Sequence, residues 1–182
     1  MRFALVVLAV GSLLTAQTRS RKAHEHGSAK VNIAFETAKG SPKGVVEFES
    51  PADSIVGFEY EAKTAADKAK VTAALNTLKA RFGEMVIFPA ASACKVSAKS
   101  AKVESDDHHH DAKSKGGKQE QHSEVHAEFD VTCAKPLSGG EIRFGFTKVF
   151  PKIHDVDVAL LVGDQQASAD VENDKGALKI AK

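Results

Sequence analysis

No tryptophan, a single tyrosine and only two cysteines occur in this chain, and it has almost no net charge, with 25 Lys plus Arg against 24 Asp plus Glu. That balance leaves no basic excess to neutralise a phosphate backbone or an anionic bilayer, which argues against nucleic acid as a partner. The cysteines form no Cys-x-x-Cys pair, which argues against a thiolate zinc framework. What the chain does have is ordinary globular material, 42% hydrophobic and 27% charged among 182 residues, enough for one cored domain or two small lobes sharing a core. It also has eight histidines, whose placement matters more than their number.

The first residues read as an export signal. Arg2 gives a positive start, Phe3 to Leu14 is apolar apart from Gly11 and Ser12, and small residues follow near Ala16. The apolar run is too short to cross a bilayer as a helix. Cleavage is expected between Ala16 and Ala23, which makes residues 1–23 a signal peptide and short leader and 24–182 a single domain. In an oxidising compartment Cys94 and Cys133 are read as a disulfide, closing a loop of about forty residues for roughly 3–4 kcal/mol.

The pattern predicts an α+β fold, mostly antiparallel strands with one clear amphipathic helix. Val31, Ile33 and Phe35 alternate in a first strand, Lys39 to Lys43 turns, and Gly44 to Glu49 returns as its hairpin partner. Pro51 to Ser54 is a turn, and Ile55 to Tyr60 is a third strand or an irregular apolar segment. Thr64 with Asp67 caps a helix whose Val71, Ala74, Leu75, Leu78 and Phe82 share one face, with Gly83 as its C-terminal cap. Met85 to Phe88 is a short strand or connector, and Lys95 to Glu104 leads into a polar middle. Later strands are expected at Glu141 to Phe146 and Val156 to Val162, around a helical turn at Thr147 to His154. Val171 to Ile180 reads as a terminal hairpin.

Two histidine-bearing segments stand out. Residues 105–121 contain Asp106, Asp107, His108, His109, His110 and Asp111, then Lys, Ser, Gly and Gln, with no apolar residue larger than Ala112. Such a tract cannot offset the entropy of ordering itself, so a mobile, disordered His-rich insert is expected, with His108, His109, His110, Asp107 and Asp111 as metal ligands. In the next segment His122, Glu124, His126, Glu128 and Asp130 alternate with Val125, Ala127, Phe129, Val131 and Cys133. Strict period-two alternation predicts a strand with every ligand-type side chain on one face. On a strand His122 and His126 lie roughly 13 Å apart, so they cannot grip one ion as a helical His-x-x-x-His pair does, and a metalloprotease site is rejected.

Neighbours two apart on a strand can share an ion. His126 with Glu124 or Glu128 is one such pair, and His24 with His26 is another if the first strand extends backwards. His24, His26 and His126 with an acidic residue form the expected principal site, and His122 is a further candidate. His154, in a connector, is read as structural. Imidazole and carboxylate donors suit Zn²⁺ and also accept Cu²⁺ or Ni²⁺.

The ordered set His24-Glu-His-Gly27, Pro51-Ala-Asp-Ser-Ile-Val-Gly-Phe-Glu, Phe88-Pro-Ala-Ala with Cys94, a His/Asp insert, His126-Ala-Glu-Phe with Cys133, and Phe150-Pro resembles the ZrgA-like periplasmic zinc-binding proteins of Gram-negative bacteria. The resemblance implies a non-enzymatic periplasmic protein that binds zinc and serves a membrane zinc transporter, with His24, His26 and His126 on the family's histidine positions. The insert departs from it, having three clustered histidines where the family often has long His-Asp repeats. Two other classes stay in view. An exported zinc hydrolase needs an open coordination position and a poised base, for which no motif is present. A structural surface domain with incidental histidines is the other.

Overall fold

A computed structural model of the chain describes residues 26–105 and 122–181. The expected hairpin is there: β1 (Ser28–Phe35) pairs antiparallel with β2 (Lys43–Pro51), placing Val31 opposite Phe48 and Ile33 opposite Val46. Lys95 to Glu104, which leads into the polar middle, is more than a lead-in. It is an edge strand, β4 (Cys94–Ser105), which pairs along its length with β5 (Ser123–Cys133). With β7 (Asp155–Val162) and β8 (Gln165–Glu172) these make a six-stranded sheet in the order β4-β5-β2-β1-β7-β8. All its pairings are antiparallel except β1 with β7. A smaller sheet is made of β3 (Val86–Ile87), β6 (Glu141–Phe144) and β9 (Ala177–Lys179), in the order β3-β6-β9.

The alternation in β5 is a burial pattern. Val125, Ala127, Phe129, Val131 and Cys133 are buried, while His122, Glu124, His126 and Glu128 are half-exposed on the other face. The buried face is covered by α2 (Ala65–Met85), whose Leu78, Phe82 and Met85 supply the stripe. Phe82 stacks on Phe129 with ring centroids 3.6 Å apart and meets Phe48 edge-on at 6.1 Å. Phe146, just past β6, stacks on Phe48 from the smaller sheet's side. The opposite face of the large sheet carries the polar members of β1, β2, β4 and β5.

Thr64 caps α2 as expected, its Oγ1 accepting from Asp67 N at 3.0 Å. Gly83 does not end the helix, which runs to Met85 because Met85 adds a last buried contact to the stripe. The expected turn after β2 is a single helical turn, α1 (Ala52–Ile55), and the following residues to Tyr60 are irregular, not a strand. The terminal hairpin is also corrected: β8 pairs with β7, and β9 leaves for β6 in the other sheet. The helical turn after β6 forms, with Phe150 N donating to Phe146 O at 2.9 Å. Cys94 and Cys133 are disulfide-bonded and lie directly opposite each other on β4 and β5.

Candidate metal centre

The first residue described, His26, is held by its neighbour. Gly27 turns the chain with φ +84°, so β1 begins at Ser28 and does not extend back through His26 as the sequence suggests. Its N–H donates to the buried Ser54 Oγ at 3.0 Å, and its carbonyl accepts from His154 N at 2.9 Å and Asp155 N at 3.2 Å. A Cβ at 27 would press on the end of the His154 imidazole, and the positive φ already disfavours any side chain there. His154 thus lies against the turn.

This anchoring sets His26 beside α1 and the irregular segment after it. His26 Nδ1 is 3.6 Å from Asp53 Oδ2 and 3.6 Å from Glu59 Oε1. Glu59 is itself pinned where β5 begins. Its carbonyl accepts from Ser123 Oγ at 2.7 Å, and its Oε2 lies 2.6 Å from His122 Nδ1. At 12% exposure the Glu59 side chain is the most enclosed of the group. One carboxylate thus spans two imidazoles from the starts of β1 and β5. Lys152 closes the far side, its Nζ 3.0 Å from both carboxylate oxygens of Asp53.

A second group sits further along β5. His126 Nε2 is 3.4 Å from Glu124 Oε2 and 3.8 Å from Glu104 Oε2. Glu124 and Glu104 are direct cross-strand partners, an arrangement that like charges disfavour unless a cation stands nearby. Lys102, opposite His126, reaches Glu104 Oε1 at 2.6 Å. That hydrogen bond holds the Glu104 carboxyl below its ordinary value, with the Lys102 and His126 charges acting in the same direction. The group borders a shallow concavity of about 390 Å³ on the open sheet face, shared with Lys30, Glu49 and Glu128.

Of the residues singled out by sequence, His26 and His122 come together through Glu59, and His126 and Glu124 come together with Glu104. His26 and His126 thus fall in different groups. Glu128 is engaged with Lys99 at 2.6 Å. His24, Asp107, His108, His109, His110 and Asp111 lie outside the described residues. Asp53, Glu59 and Glu104 were not predicted. Asp53 and Glu59 do fall in the Pro51 to Glu59 stretch that carries the family resemblance, whereas Glu104 gives no signal because its strand reads as a polar connector. Among the described residues, no group of three or more His, Cys, Asp and Glu side chains is placed so as to hold a metal ion. In the two groups described, the side chains are paired with one another and with lysines.

Among the described residues, no helix is long and apolar enough to cross a membrane. No curated protein is similar enough to count as a match. Residues 23–180 do match a family, the one described as ZrgA family zinc uptake protein. That stretch contains both histidine groups, the disulfide and both sheets, and on its extent the chain belongs to the ZrgA family of zinc uptake proteins.

Proposed function

We propose that this protein is exported to the periplasm, captures Zn²⁺ without catalysing a reaction, and supplies it to a membrane zinc-uptake system. The observation that carries the reading is the position of His26 Nδ1, 3.6 Å from an oxygen of Asp53 and 3.6 Å from an oxygen of Glu59. In tetrahedral zinc with bonds of about 2.0–2.1 Å, neighbouring donors stand about 3.3 Å apart, close to both His26 separations, which is why His26, Asp53 and Glu59 are the donors we assign to the ion. His122 is the fourth donor, reached when its hydrogen bond to Glu59 gives way. Four nitrogen and oxygen donors suit Zn²⁺ and also accept Cu²⁺ or Ni²⁺, so selectivity rests on geometry and supply.

His126, Glu124 and Glu104 form a second station, with separations of 3.4 and 3.8 Å that are close to the same donor spacing. His24, two residues before the first group, and the His108–His110 tract with Asp107 and Asp111 add donors that gather the ion. The apolar N-terminal run is read as the export signal, and the Cys94–Cys133 disulfide fits an oxidising compartment. The test is a zinc titration of the mature, untagged protein beside a variant carrying both His26→Ala and His122→Ala. Loss of one tight zinc equivalent supports the first group as the capture site. Unchanged stoichiometry and affinity would move capture to the tract at 105–121.

A further inference from the structure

Asp53 Oδ2 is contested. The oxygen that stands 3.6 Å from His26 Nδ1 also accepts from Lys152 Nζ at 3.0 Å. The same ammonium reaches the other carboxylate oxygen at 3.0 Å and the Asp53 carbonyl at 3.3 Å, so its three N–H groups are all directed at one residue. Lys152 is positioned for this by its surroundings. The next residue, Ile153, is fully buried and donates its N–H to Phe150 O, and His154 N then bonds to Gly27 O. The connector that fixes the turn beneath His26 is therefore the one that carries the lysine.

We propose that Lys152 is a built-in competitor for the metal: its ion pair with Asp53 and the metal's bond to that carboxylate exclude one another, so the lysine yields Asp53 when a divalent cation enters and takes it back as the cation leaves. The inference rests on the assignment of His26, Asp53, Glu59 and His122 as the capture site. An exposed lysine–carboxylate pair is a weak bond, and Lys152 is 55% exposed, so zinc can displace it. A retained positive charge beside a divalent ion also lowers affinity, which suits a protein that must release what it collects. The second group repeats the device. Lys102 Nζ holds Glu104 Oε1 at 2.6 Å while Glu104 Oε2 lies 3.8 Å from His126.

The experiment compares zinc affinity and the rate of zinc loss to a chelator in the mature, untagged wild type, Lys152→Gln, Lys152→Arg, Asp53→Asn and the Asp53→Asn/Lys152→Gln double variant. Lys152→Gln is expected to bind zinc about tenfold more tightly and release it more slowly, the scale of removing one charge from beside a divalent ion together with a rival for Asp53. Lys152→Arg, which keeps the charge and can hold the Asp53 carboxylate bidentately, is expected to bind zinc no more tightly than wild type. In the Asp53→Asn background the same Lys152→Gln change gains only about threefold or less, since only screened repulsion remains. Equal gains in both backgrounds would reduce Lys152 to a distant charge and overturn the proposal. A Lys152→Gln protein with lower melting temperature and unchanged zinc affinity would make it a structural tether, with the same result. Retained capture in the His26→Ala/His122→Ala protein is a separate failure, of the site assignment and not of the lysine's role.

Discussion

Glu59 Oε2 lies 2.6 Å from His122 Nδ1 while Oε1 of the same carboxylate faces His26 Nδ1 at 3.6 Å, so a residue in an irregular segment couples the start of β1 to the start of β5. Neither histidine is near the other in sequence, and the join depends on Ser123 Oγ donating to the Glu59 carbonyl and on Gly27 donating to Ser54.

Glu59→Gln keeps the shape of that bridge and removes its charge. Zinc affinity at the first group is expected to fall by about ten- to a hundredfold, the range seen when a carboxylate that orients or supports a metal ligand is lost. His122→Ala should fall in the same range, and because each change removes a separate donor to the one ion, the double variant should bind more weakly than either single one. Calorimetric titration of the three variants measures this; a double variant no weaker than a single one would show that only one of the two side chains holds the ion.

Gly83 offers a stability test. It lies inside α2, its surface is open, and a Cβ added there meets nothing within 4 Å. Alanine at this helical position should stabilise the fold by about 0.5–1 kcal/mol through the unfolded chain's lost freedom. Urea unfolding checks it. A destabilised Gly83→Ala protein would mean that the helix ends near 83 in solution.

The features legible in the sequence were those set by burial on one face. β5 is readable because Val125, Phe129 and Val131 must all point into the core, where Phe129 stacks on Phe82 of α2, which leaves His122, Glu124 and His126 together on the other side. β4 and β8 hide because they are sheet edges: their residues are mostly half-buried or exposed Lys, Ser, Ala and Gln, with no large apolar side chain at alternate positions to mark them. Gly83 looks like a stop only if Met85 is assigned to the next segment. Pairing of β9 with β6 joins segments more than thirty residues apart, and no local pattern encodes that choice. Glu59 was missed for a related reason. Its place is fixed by contacts with residues 26, 122 and 123, so its role appears only once the chain is folded.

The disulfide ties the edge strand β4 to its neighbour β5. Cys94 and Cys133 are 39 residues apart, and opening the bond frees that whole loop in the unfolded chain. Removing it by the Cys94→Ser/Cys133→Ser double change should cost about 3–4 kcal/mol in denaturant unfolding. Because β4 carries Glu104 and pairs with the β5 segment bearing His126, the second station should weaken more than the first. Zinc titration of the double variant under conditions where it stays folded compares the two.

Acid should empty the protein of zinc. A proton and a zinc ion compete for the same imidazole lone pair, and free imidazole titrates near ~6.5, so capture is favoured above that pH and lost below it. Reference carboxylates titrate near pH ~4, well below this window, so the loss between about pH 7.5 and 5.5 falls on imidazole ligation, and a site using two imidazoles should weaken more steeply than a site using one. The pH slope therefore counts the imidazoles bound. Titrating wild type and His122→Ala at both pH values separates the cases: wild type should show the steeper fall and His122→Ala the shallower one. A wild-type affinity that stays within about threefold across the range would mean that carboxylates alone hold the ion, and histidine ligation would have to be abandoned.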